Sequence, residues 1–174
     1  MSLAFTFSSE PEYDLYRNVY EAIWNEYGIR IVDGFSNVSH LNFTEQTIRA
    51  VVGTGDKTGS NYAGATTSDP MLFRYSVRDK LGTMFHELGH RLIMEHNYFE
   101  KSKISLGISN DHQLLDLFLY DTIDFVFGSS AAEGRAQYEM SFPEKEYRES
   151  WEWAFALGKS QRQNLLRNIV KQAE

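Results

Sequence analysis

The 174-residue sequence predicts an α+β fold: a small mixed sheet packed on a helix bearing His86-Glu87-Leu88-Gly89-His90, with further helices to the C-terminus. Three observations predict it. β-branched and alternating segments fall in the first half of the chain. Leu81, Met84, Phe85, Leu88, Leu92 and Ile93 recur at helical spacing across the pentapeptide, from Val77 to about Glu95. Beyond Asn110 the 3.6-residue pattern dominates, so strands come early and helices late. No linker divides the chain, and residues 1–174 are expected to form one domain.

In order along the chain, Ser8 or Ser9 followed by Pro11 reads as a helix start, and Leu15, Val19, Ala22, Ile23 and Trp24 continue it to a stop at Gly28. Ile29-Arg30-Ile31-Val32 alternates and is β-branched, so it reads as a strand. Phe43 to Val52 fits both periods and tilts toward a strand through its Thr and Val content. Gly53 to Gly64 is polar and glycine-rich and reads as a mobile loop, without a phosphate-binding fingerprint. Met71 to Tyr75 reads as a short strand. Ser76 is the expected N-cap of the next helix, with Asp79 at its N3 position. After a polar link from Asn97 to Asn110, Asn110 or Asp111 caps one long apolar helix, His112 to Phe127, closed by Gly128. Ser130 to Met140 forms another helix, Pro143 breaks the chain, and Gly158 separates two last helices, Glu144 to Leu157 and Gln161 to Ala173. The aromatic run from Trp151 to Phe155 reads as core.

Composition narrows the function. With 42% hydrophobic and 14% aromatic residues the chain is globular. A net charge of −7 argues against nucleic acid as the main partner. There is no cysteine, so any metal is held by His and carboxylate. No apolar run approaches a membrane span, and no basic, apolar leader follows Met1, so the expected setting is the cytoplasm, with no membrane partner. Oligomeric state is not readable.

The pentapeptide carries the chemistry. On a helix, His86 and His90 lie four apart on one face, and two neutral imidazoles there suit one zinc ion per chain. Glu87 is then the expected general base on water. A catalytic zinc takes three protein ligands, so one more is needed. His96 completes a longer histidine spacing, but Ile93 stands where that pattern needs a glycine to turn the chain. His112 is a second choice. Asp116 and Tyr120 follow at helical spacing, so that Asp116 would orient a ligand imidazole and Tyr120 would steady a developing oxyanion. A carboxylate, Asp116 itself or Asp121, is a third choice, and Glu133 or Glu139 a fourth. Arg74 and Arg91 read as ordinary ion-pair partners, and His40 as a loop or core histidine.

On these residues the chain resembles the zincin metallopeptidases, and among them small gluzincin-like proteins of bacterial and phage type. The likeness rests on His86-Glu87-Leu88-Gly89-His90, a strand before it and a ligand-bearing helix after it, and covers about residues 70–128. Thermolysin-like enzymes place a glutamate ligand on that second helix, with an aspartate four residues later. Here the corresponding pair is His112 and Asp116, a departure in the ligand type. The resemblance implies zinc-dependent hydrolysis of a peptide or protein substrate, with the strand at Met71–Tyr75 or one near Tyr62–Thr67 aligning an extended peptide. Two other expectations compete: a non-catalytic or regulatory protein-binding module on the same scaffold, and a hydrolase acting on something other than peptides.

Overall fold

The computed structural model describes residues 3–54, 62–63, 70–97 and 108–173. It is a mixed α+β structure in two compact units. One comprises Met1–Val32 with Phe43–Glu95, the other Asp33–Asn42 with His96–Glu174.

The first unit holds the sheet. Strand β1 (Ala4–Ser9) leads through a 3-10 turn at Pro11–Tyr13 into helix α1 (Asp14–Ser39), whose residues to Val32 belong to this unit. Strands β2 (Thr47–Gly53), β3 (Tyr62–Ala63) and β4 (Met71–Arg74) and helix α2 (Lys80–Glu95) follow. The order across the sheet is β1-β2-β4-β3. The first three are parallel, with Ala4 opposite Thr47 and Ala50 opposite Met71, while the edge strand β3 runs antiparallel to β4. Ile48, Ala50, Val52, Met71 and Phe73 alternate with exposed or half-buried neighbours, so one face of the sheet is the core face. Tyr20 of α1 stacks on Phe73 at 4.5 Å, and Trp24 packs on Phe5 at the same distance.

Four sequence expectations fail here for local reasons. Residues 4–9 form a strand, so Ser8 and Ser9 are not helix caps. Their alternation was legible, and Ser9 instead donates to Asp14 Oδ1 at 2.7 Å. Gly28 does not stop α1, and Ile29–Val32 is helical and not a strand. Gly28 lies under the Trp24 ring, which an added Cβ would meet at 2.8 Å, so the glycine makes room for an indole inside the helix. Four alternating residues cannot separate the two periods. The buried set Ile31, Gly34 and Phe35 shows the helical one. Finally, α2 starts at Lys80, and Asp79, not Ser76, caps it by accepting from the Gly82 amide at 2.8 Å. The strands expected around Phe43–Val52 and at Met71–Tyr75 are present as β2 and β4. Most of the glycine-rich stretch lies outside the described residues.

The second unit is helical: the end of α1, then α3 (Asp111–Asp116), α4 (Leu119–Phe127), α5 (Ser129–Met140) and α6 (Lys145–Ala173). The end of α1 approaches α4 closely, since a Cβ on Gly34 would sit 2.6 Å from Val126 Cγ2. Phe35 meets Phe118 edge-on at 6.1 Å. Asn110 caps α3, accepting from the Gln113 amide at 2.8 Å. The single helix expected from His112 to Phe127 is two. Phe118 leaves helical geometry at φ −131°, so α4 starts in a new phase. Gly128 ends α4 at φ 88°, and Gly158 kinks α6 at φ 67°, the separation its sequence position predicted. Among the described residues no helix is long and apolar enough to cross a membrane.

Candidate metal and catalytic residues

Helix α2 is an amphipathic core helix. Met84, Phe85, Leu88 and Leu92 are fully buried, and the polar residues among them are drawn into the interior with them. His86 and Glu87 are 5% and 3% exposed, while His90 is half-buried. The helix repeat brings His86 Nε2 within 3.0 Å of His90 Nε2, with the rings steeply inclined at 70°. Zinc–nitrogen bonds of about 2.0–2.1 Å in tetrahedral geometry set two ligand nitrogens about 3.3 Å apart. The pair therefore fits one edge of a zinc tetrahedron with little movement.

On the neighbouring arc of α2, Arg91 is 1% exposed and grips Glu45 with both arms, Nε to Oε1 at 2.9 Å and Nη2 to Oε2 at 3.0 Å. This is the ion-pair role expected of it. The planar fork holds α2 to the segment entering β2. Glu95, at the end of the helix, accepts from the Thr44 amide and hydroxyl at 2.6 and 3.0 Å. The histidine-bearing helix is thus fixed along the flank that Arg91 and Glu95 share.

The candidates for a third ligand have distinct surroundings. His96 lies just past α2, and its Nε2 bonds the Asn42 carbonyl at 2.9 Å. Asp121 is 1% exposed and bound by Arg162, with Nη2 to Oδ1 at 2.9 Å and Nε to Oδ2 at 3.3 Å. Arg162 also donates to the Ala154 carbonyl, so the apolar helix face buries a closed ion pair. Glu139 is committed too, accepting from Arg135 Nε and from the Trp151 indole, each at 2.7 Å. Glu133 is exposed.

Asp116 does not meet the role of imidazole orienter. It is buried, and its Oδ2 accepts from Ser150 Oγ at 2.6 Å. Burial first, and then the charge of Glu139, push its pKa well above the ordinary carboxylate range; Ser150 and Arg135 oppose the shift. A carboxyl that burial makes harder to ionise makes a poorer metal ligand.

The residue that does orient His112 is Glu146, which sequence reasoning missed. His112 Nδ1 lies 2.8 Å from Glu146 Oε1 and 3.8 Å from Asp111 Oδ1. The ring also packs on Tyr147 at 4.4 Å. No sequence signal joins positions so far apart on α3 and α6. Ligand atoms of Asp111, His112 and Glu146 lie within 4.8 Å of one another, a grouping able to hold a cation.

Tyr120 is not on a common face with His112 and Asp116, because the helix breaks between them. Its ring packs edge-on against Phe155 at 5.4 Å and under the Arg162 guanidinium at 5.7 Å. Burial raises its pKa above the usual 10.0. The aromatic run of α6 is core at Trp151, which is fully buried, but Phe155 is 38% exposed. Arg74 ends β4, and its carbonyl accepts from the Tyr20 hydroxyl at 3.4 Å. His40 is exposed and closes α1 in the left-handed region at φ 61°.

No family model, no curated protein and no solved structure matches this chain.

Proposed function

We propose that the protein is a zinc-dependent peptide hydrolase of zincin type, in which His86 and His90 hold the metal and Glu87 is the general base. The observation that carries the reading is the paired imidazole edge on α2, 3.0 Å between Nε2 atoms, with Glu87 buried beside it. A buried acid next to two converging imidazoles costs free energy in a purely structural helix, and the chemistry of metal hydrolysis accounts for all three residues together.

The buried carboxylates of the helical unit have other commitments: Asp121 pairs with Arg162, Glu139 accepts from Arg135 and Trp151, and burial raises the pKa of Asp116.

Zinc, when bound, lowers the pKa of water and polarises a carbonyl. Glu87 then accepts the proton of the attacking water and returns it to the departing amine. The sheet supplies a supporting feature. Its edge strand β3 runs antiparallel to β4 and abuts α2, the position from which an extended peptide could be aligned by main-chain hydrogen bonds.

The test is Glu87→Gln. It should keep about one zinc per chain and lose roughly 10²–10⁴-fold in peptide cleavage. A variant that cleaves as fast as wild type would sink the assignment.

A further inference from the structure

We infer that the solvent face of helix α1 is a self-association surface: two copies of this chain pair along it, antiparallel, about a two-fold axis near Ala22.

Helix α1 carries apolar residues on two faces. One packs on the sheet, with Tyr20 on Phe73 and Trp24 on Phe5. The opposite face meets solvent. Leu15 and Ile29 lie on it at 71% and 79% exposure, the highest values among the large hydrophobic residues described. Val19 and Ala22 are exposed between them. At 3.6 residues per turn these four fall within about 80° of arc, so they form one stripe along the helix. A contiguous exposed apolar stripe marks an interaction surface.

The pattern within and beside the stripe says what covers it. Leu15 and Ile29 each lie seven residues from Ala22, about 10 Å along the axis in opposite directions. A second copy turned about a two-fold axis at Ala22 therefore sets Leu15 of each helix against Ile29 of the other. The small side chain of Ala22 lets the two backbones approach at the crossing point. The same rotation matches the flanks. On one side, exposed Asn18 of each copy comes level with exposed Asn25 of the other, and amides both donate and accept. On the other side, Arg30 of each copy comes level with Glu12 of the other, both exposed, so opposite charges meet twice. A parallel pair would instead bring the two exposed Glu26 carboxylates to one level of the seam, like charge beside like charge.

The test is sedimentation equilibrium on the whole chain, from about 1 µM to about 1 mM, a span that covers weak and tight dimers. Wild type should pass from monomer to dimer within it. Leu15→Asp and Ile29→Asp should each weaken association by at least about 100-fold, because each change enters the symmetric contact twice. Phe125→Asp, at an exposed apolar position on α4, should associate as wild type does. Glu12→Arg and Arg30→Glu should each weaken pairing, and the double variant should recover it. All these positions are exposed, so the variants should stay folded, which thermal melting checks; if one aspartate variant does not, the other decides. Wild type that stays monomeric throughout overturns the inference. So does a dimer untouched by Leu15→Asp and Ile29→Asp, which would be built on another face. A double charge variant no better than the single ones overturns the antiparallel pairing.

Discussion

Ser150 donates its hydroxyl to Asp116 Oδ2 at 2.6 Å, and both side chains are buried. Asp116 Oδ1 has no hydrogen-bond partner among the described residues. A charged carboxylate there would carry an uncompensated desolvation cost, which is why burial and Glu139 drive the group toward its neutral form. The pH dependence follows in sign. A carboxyl whose folded pKa is raised contributes stability in full below its unfolded value, near 3.8, and loses it as pH climbs through the folded value. Asp116→Asn, which cannot ionise, should therefore gain on wild type progressively as pH rises from about 4 to about 8. Urea midpoints across that range check it. A constant difference between the two proteins would mean that Asp116 is charged in the fold.

Asp121 should matter for stability and not for metal. Removing it strands Arg162, 4% exposed, next to the Ala154 carbonyl. Breaking a buried pair from one side costs about 3–5 kcal/mol. Asp121→Ala should show that loss in denaturant unfolding while its folded fraction binds zinc as wild type does. Loss of zinc with unchanged stability would return Asp121 to the ligand set.

Much of this was readable in advance, and the misses share a cause. The α2 helix, β2, β4, the helix at Ser129–Met140 and the break at Gly158 followed from periodicity and glycine punctuation. The motif residues His86, Glu87 and His90 came directly from spacing. Reading failed where side-chain packing or backbone geometry overrode a local signal. Gly28 looks like a stop but makes room for Trp24, and Phe118 lies in an unbroken apolar run yet leaves helical geometry. The partners of Asp116, Asp121 and His112 all come from α6, beyond the reach of any local pattern.

Gly34 gives a packing test of the same kind. Its Cα faces Val126 so closely that an alanine methyl would sit 2.6 Å from Cγ2. Helix propensity alone favours Gly34→Ala by about 1 kcal/mol. Overpacking should reverse that and leave the variant less stable, by roughly 1–3 kcal/mol. Adding Val126→Ala removes the opposing methyls and should restore part of the loss. A stabilised Gly34→Ala, measured by thermal melting, would show that the helices can move apart freely.

The central claim is one zinc held by the α2 histidines. The direct measurement is zinc content by elemental analysis on wild type, His86→Ala, His90→Ala, Asp116→Ala and Asp121→Ala, each purified folded and supplied with zinc at neutral pH. The account predicts about one zinc per chain in wild type. It predicts loss in His86→Ala and His90→Ala, and retention in both aspartate variants. Wild-type protein without zinc, or zinc that survives His86→Ala, would contradict it.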